Sequence, residues 1–255
     1  MSNWSATQYD LYTDARKRPG LDLIAQIPPN TYNTIADLGC GTGFLTTALK
    51  ERFPNSTITA IDSSEQMLAQ ARELDPHIDW QQGDIATLQL TNIDLLFSNA
   101  TLHWLDDHDT LFLQLLSCLN SGGVFAFQLP NNFNAPSHQL ILETIQSGPW
   151  CDKLLPAWRD EPTHDATFYY DLLTPQCQHI NLWETTYYQI LEGEHPVVEW
   201  TKGTWLRRFL ALLEEDEQVR FLQKYRELVN VAYPIQANGK TLFPFKRLSM
   251  VGKIK

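Results

Sequence analysis

Positive charge is scarce in this chain of 255 residues, with 19 lysines and arginines against 30 aspartates and glutamates and a formal net charge of -11. Such a field repels phosphate backbones and anionic bilayers, which disfavours a nucleic-acid or membrane partner. An anionic small molecule would need a local cluster of arginines to be held against it. Cysteine is sparse as well. Cys40, Cys118, Cys151 and Cys177 stand far apart, with no C-x-x-C pair and no histidine at ligand spacing, so reduced thiols in a cytoplasm, and no metal site, are expected. Nowhere do about 18 apolar residues run together, and Met1 to Asp10 is polar and aromatic, so neither a membrane span nor an export signal is expected. Repeats and low-complexity linkers are missing too. What is there is 43% hydrophobic and 19% charged residues, enough apolar matter for a core and too much for a disordered chain. The length admits one large domain, or a core with a subdomain.

The first half alternates short apolar runs with helical spacing, the pattern of parallel βαβ units. Thr34 to Leu38 reads as a buried strand, Phe44 to Phe53 as a helix, and Ser56 to Ile61 as a second strand. Ser63 or Ser64 then caps a helix through Leu74, with Glu65 placed to suit the helix dipole. Further strands are expected at Ile78 to Gln82, Ile93 to Ser98 and Val124 to Leu129, with a helix from Asp106 to Cys118. The second half differs: a short helix at Tyr169 to Leu173, a long strand at His179 to Leu191, a helical block between His195 and Tyr233, and a last strand at Leu242 to Ile254.

The strongest motif is Asp37-Leu38-Gly39-Cys40-Gly41-Thr42-Gly43, between a strand and a helix. Glycine there lets the backbone turn tightly and approach a ligand closely. Its spacing is G-x-G-x-G and not the G-x-G-x-x-G of dinucleotide binders, and alone it is also compatible with an ordinary strand-to-helix turn. It does not stand alone. Asp62 ends the next strand, where a carboxylate takes both hydroxyls of a ribose, and Asp84 follows the third strand, where it can accept from an adenine amino group. These loops converge on a nucleoside-shaped crevice, as open α/β sheets favour.

This combination resembles the class I S-adenosylmethionine-dependent methyltransferases. The resemblance narrows to the trans-aconitate 2-methyltransferase family through Trp4 to Tyr9, Arg16-Lys17-Arg18-Pro19, Ile61-Asp62-Ser63-Ser64 and Ser98 to Leu105. Near the C-terminus the runs from Trp183 to Tyr188 and from Tyr233 to Gly239, and the residues around Arg247, stand in the family's order. Two departures are His103, where the family commonly has glutamine, and Thr204-Trp205-Leu206-Arg207-Arg208, where it has Thr-Gly-Leu-Arg-Pro.

The resemblance implies a Rossmann-like, seven-stranded, mostly parallel sheet with helices on both faces and an inserted helical cap. It divides the chain into a helical segment at 1–30 closing over the site, a core at 31–195, a cap at 196–235 and a final strand at 236–255. It implies S-adenosyl-L-methionine as methyl donor, S-adenosyl-L-homocysteine as product, no metal, and a small polycarboxylate as substrate, with a monomer as the default. Donor contacts are expected from Asp37, Gly39, Gly41, Gly43, Asp62, Ser63, Asp84, Ile85 and Asn99. Acid contacts are expected from Arg16, Arg18, Tyr188, Arg207 and Arg247, arginine's fork being suited to carboxylates. His103 and Trp104 are candidates for the methyl-transfer pocket. A carboxylate is already ionised at neutral pH, so no general base is required.

Each of these has a rival reading. The arginines also read as solvated surface charges, His103 and Trp104 as a cap and a packing residue, and Glu214 to Glu217 as a solvated face. Asp106, Asp107, His108 and Asp109 read better as a helix start than as a metal site. Tyr187 and Tyr188 are not separable by periodicity. Alternatives for the activity are methylation of another small acid, such as the free carboxylate of a malonyl thioester, and a sensor that binds the donor without turnover.

Overall fold

The computed structural model describes residues 13–160 and 162–255, with side chains from residue 17 onward. Trp4 to Tyr9 and the side chain of Arg16 lie outside the described residues. In chain order the principal elements are α1 (Thr13–Gln26), β1 (Thr34–Leu38), α2 (Phe44–Arg52), β2 (Thr57–Asp62), α3 (Glu65–Leu74), β3 (Asp79–Gln82), β4 (Ile93–Asn99) and α4 (His108–Ser117). They continue with β5 (Leu119–Pro130), α5 (Pro136–Gln146), α6 (Ala166–Leu173), β6 (Cys177–Leu191), α7 (Pro196–Lys202), α8 (Glu215–Ala232) and β7 (Thr241–Ile254).

The sheet has seven strands in the order β3-β2-β1-β4-β5-β7-β6. The strands from β3 through β5 are parallel, and β7 runs antiparallel to β5. Chain order reverses between β1 and β4, which in an open α/β sheet opens a crevice outside the carboxyl ends of the strands.

Local sequence explains the elements. β1 is an apolar run buried at all but its first residue, as suits a parallel strand covered on both faces. Ser64, the second of the two candidate caps, starts α3: its hydroxyl accepts from the Met67 amide at 3.4 Å. α4 begins at His108, later than the expected Asp106, because Asp107 holds a left-handed φ of 53° and lies outside the helix. β5 starts at Leu119 and not at Val124, with its register broken opposite Ile93 and Leu95.

The chain divides into two compact units. One comprises residues 16–130, 162–185 and 247–255. Within it α1, α2 and α3 place Leu23, Ile24, Leu49 and Leu68 with Leu95, Phe97, Val124 and Ala126 in one core. On the opposite face α4 and α6 place Phe112, Leu115, Tyr169 and Leu173 with Leu96, Phe125, Phe127 and Leu129. Helices thus cover both faces of the sheet.

The other unit includes residues 131–160 and 186–246 and has its own core, in which Phe133, Trp150, Trp200, Phe209, Phe221 and Phe243 are buried. It therefore takes in α5, which the sequence pattern did not reveal. Tyr225 fixes α8 to α5 by donating to the Ser137 carbonyl at 2.7 Å, and the Ser137 amide donates to the Tyr233 hydroxyl at 3.1 Å. The Glu214 to Glu217 run is more than a solvated face: Glu214 caps α8 in a reciprocal capping box with Glu217, whose carboxylate also takes Lys153 at 2.8 Å. Among the described residues no helix is long and apolar enough to cross a membrane.

Candidate active site

The three glycines after β1 all adopt left-handed φ, 76° at Gly39, 56° at Gly41 and 85° at Gly43, but they serve different ends. A Cβ on Gly39 would collide with the Thr101 side chain, and one on Gly43 would lie 2.6 Å from the Trp80 ring. Those two make room for the protein itself. A Cβ on Gly41 would meet nothing within 4 Å, so this glycine borders open space.

Hydrogen bonds lace the strand tips together. The Gly39 and Cys40 amides both donate to the Ile61 carbonyl, at 2.7 and 3.1 Å, and the Gly83 amide donates to the Asp62 carbonyl at 3.1 Å. Asp62 spreads its carboxylate over two loops, Oδ2 accepting from the Gly41 amide and Oδ1 from the Ser64 amide, each at 2.9 Å. Each oxygen keeps a lone pair, so the carboxylate can still receive two ligand hydroxyls. Ser63 is exposed, and its carbonyl accepts from Gln82 Nε2 at 3.1 Å. Asp84 caps the turn Ile85–Thr87 through the Ala86 amide at 2.9 Å, and Ile85 is buried beneath it.

Asp37 is the fourth residue of β1. It is buried and accepts from the Thr46 hydroxyl at 2.6 Å. Burial pushes its carboxyl up to about 7, against the Thr46 hydrogen bond and with the Asp62 charge adding to the rise. Burial, with the charges of Asp37 and Asp62, also raises the Cys40 thiol, which leaves it protonated and inert at neutral pH.

At the tip of β4 the chain turns through Ala100, a non-glycine residue at φ 54°, whose amide donates to the Gln128 carbonyl at 2.9 Å. His103 is buried with its ring 4.6 Å from that of Trp104, itself 46% exposed. Asn99 Oδ1 and both amide atoms of Gln128 are buried and make no hydrogen bond among the described residues. Gln128 was not singled out by sequence, and its one signal is a polar residue inside the apolar run from Val124 to Pro130. Among the described residues no group of three or more His, Cys, Asp or Glu is placed to hold a metal.

The comparisons fit this arrangement. The family described as Methyltransferase domain matches residues 35–123, the span from β1 into β5. A trans-aconitate 2-methyltransferase from an Azoarcus species is 42% identical over 252 residues, 98% of this chain and 99% of that protein. One from Yersinia pestis is 38% identical over 253 residues, 98% of each. The chain belongs to the trans-aconitate 2-methyltransferase family. Among solved structures, the YcgJ protein from Bacillus subtilis covers 93% of the chain and 99% of its own, at 14% identity and a TM-score of 0.60. The phosphoethanolamine N-methyltransferase 2 of Haemonchus contortus covers 93% of this chain and 53% of its own, at 14% identity and a TM-score of 0.54. At these identities the likeness is one of fold.

The residues expected to hold the acid in this methyltransferase have separate placements. Arg18 lies on α1, exposed, 3.8 Å from Asp22 one turn on. Arg247 is buried on β7 in register with Pro130. In the other unit Arg207 is half-buried and opens the short helix Arg207–Leu210. Of the two tyrosines that periodicity left unranked, Tyr187 is 7% and Tyr188 63% exposed. Trp205, one of the two family departures in the cap, is built into that unit's core. Its ring lies 5.0 Å from Phe133 and 6.5 Å from Trp158, and the guanidinium of Arg208, the other departure, covers it at 4.9 Å.

Proposed function

We propose that this methyltransferase converts trans-aconitate, or a closely related small polycarboxylate, to its monomethyl ester with S-adenosylmethionine as donor. The observation that carries the reading is 42% identity across 98% of the chain to a protein bearing that name, including the stretches outside the shared methyltransferase domain. The crevice suits the donor: Gly41 offers open backbone, Asp62 two free acceptor positions, and Asp84 a carboxylate at the next strand tip. When bound, the donor supplies a methyl group on a sulfonium, which passes to a carboxylate oxygen as the sulfur keeps the bonding electron pair; no proton moves.

The protein's part is alignment and exclusion of water. Asp62 and the Gly39 to Gly43 turn hold the nucleoside end. Arg247 and Arg207, with the N-terminal Arg16 and Arg18, are the cations we assign to the acid. The helical cap expected at 196–235 falls within the unit of residues 131–160 and 186–246. The four free cysteines suit a reducing cytoplasm. The test is turnover with a panel of acids, trans-aconitate and a malonyl thioester among them, followed by mass detection of the methyl ester. Ester from the thioester and none from trans-aconitate would replace this reading.

A further inference from the structure

Gln128 is 1% exposed, yet neither its amide nitrogen nor its amide oxygen has a hydrogen-bond partner among the described residues. A buried amide left in that state is costly, and native chains keep few of them. Its position gives the cost a purpose. Along β5, Phe125, Phe127 and Leu129 enter one core and Val124 and Ala126 the other, so Gln128 shares the face of Val124 and Ala126. It is the first polar residue on that face toward the strand's carboxyl end. In register it lies between Asn99 of β4, whose Oδ1 is also orphaned, and Ser249 of β7, with Arg247 two residues further along β7. All four belong to one compact unit. The row begins beside the donor crevice at β4 and leads away from it, since β5 lies on the far side of β4 from β1.

We propose that the Gln128 amide binds the carboxylate that receives the methyl group, an assignment that rests on the reading of the chain as a carboxyl methyltransferase. Of the three orphaned atoms Nε2 is the donor, and a flip of the amide still leaves one donor and one acceptor. The choice of a neutral donor follows from charge. The reacting carboxylate starts as an anion and ends as a neutral ester. A guanidinium on it would hold the ground state more tightly than the transition state, where the charge is vanishing, and so would raise the barrier. A neutral N–H bonds to the carboxylate oxygen and afterwards to the ester carbonyl with little change. Arginine forks are then left for the carboxylates that stay charged.

The variants are Gln128→Met, which keeps the chain length and apolar bulk without hydrogen bonds, and Gln128→Glu, which keeps an oxygen and removes the N–H. In Gln128→Met the KM for trans-aconitate should rise at least tenfold. Calorimetric affinity for S-adenosylhomocysteine should stay within threefold, and the melting temperature should hold or rise, because an unpaired buried amide is gone. Gln128→Glu should lose more at pH 8 than at pH 6, as its carboxylate repels the acid. A wild-type KM in a folded Gln128→Met, or a fall in S-adenosylhomocysteine affinity that matches the rise in KM, overturns the assignment. If the wild-type enzyme makes no ester from trans-aconitate or any panel acid, the underlying reading fails and this one with it; an active wild type with an indifferent Gln128→Met sinks this one alone.

Discussion

Asp62 braces Gly41: the carboxylate at the tip of β2 accepts the amide of the open glycine after β1 at 2.9 Å, and its other oxygen holds the Ser64 amide before α3. The residue that would take the ribose is also the one that shapes the turn around it.

Asp62→Ala should therefore weaken S-adenosylhomocysteine binding by about 1.5 to 3 kcal/mol, the scale of hydrogen bonds to a charged group. Asp62→Asn should not restore it, since an amide presents one acceptor where two backbone N–H groups point. Calorimetric titration of both folded variants checks this, and unchanged affinity in Asp62→Ala would mean that the crevice is misassigned.

Gly39 and Gly41 should respond differently to alanine. Gly39→Ala drives a methyl group into Thr101 at a left-handed φ and should lower stability by about 2 kcal/mol or more. Gly41→Ala meets open space, so only the left-handed penalty of about 1 kcal/mol applies, while donor affinity falls because the methyl group occupies the ligand's approach. Denaturant midpoints and titration on both variants separate the two effects.

Asp37 predicts a pH dependence. Its folded carboxyl is raised to about 7 from 3.8, so between those values the folded chain keeps a proton that the unfolded chain has released. Its contribution to stability therefore falls as pH rises across that window and is constant above it. Asp37→Asn keeps an acceptor for Thr46 and removes the charge. From pH 5 to pH 8 the variant should gain about 2 to 3 kcal/mol on the wild type, about 5 °C or more in melting temperature. Parallel melting curves across that pH range would refute it.

For the acid clamp, Arg247→Lys and Arg207→Lys should each raise the KM for the acid at least tenfold, about 1.4 kcal/mol, with donor affinity near wild type. Lysine offers a point charge where the carboxylate needs a planar fork. Initial rates at saturating donor and fixed ionic strength decide the matter; wild-type KM in both variants shifts the clamp to Arg16 and Arg18.

Although Gly122-Gly123 misled, since β5 runs through it, the alternating half of the chain was legible because strand and helix there differ in period and are punctuated by Gly39 to Gly43 and Ser64. α5 was not, because polar Ser137, His138 and Thr144 are buried among Ile141 and Ile145 and blur the apolar stripe. Burial holds the His138 ring neutral, its pKa lowered to about 3, so it reads in sequence as a surface residue and acts as core. Asp37 opens the motif that ends at Gly43, and only the fold shows its carboxylate buried against Thr46 while that of Asp62 spans two loops. Gln128 left one faint signal, a lone amide in an apolar strand, and it gains meaning only from its lack of partners among the described residues.

β7 lies between β5 and β6, yet it follows both in sequence. During synthesis the ribosome releases β5 and β6 well before the strand that must separate them, so β5 waits with an unpaired edge. β1 to β5 can already pair, which puts the donor crevice in place early. Arg247 and Ser249 arrive last. A nascent chain stalled before residue 241 is expected to hold S-adenosylhomocysteine while binding the acid more weakly for want of Arg247, and to be vulnerable to strand-edge association until β7 emerges.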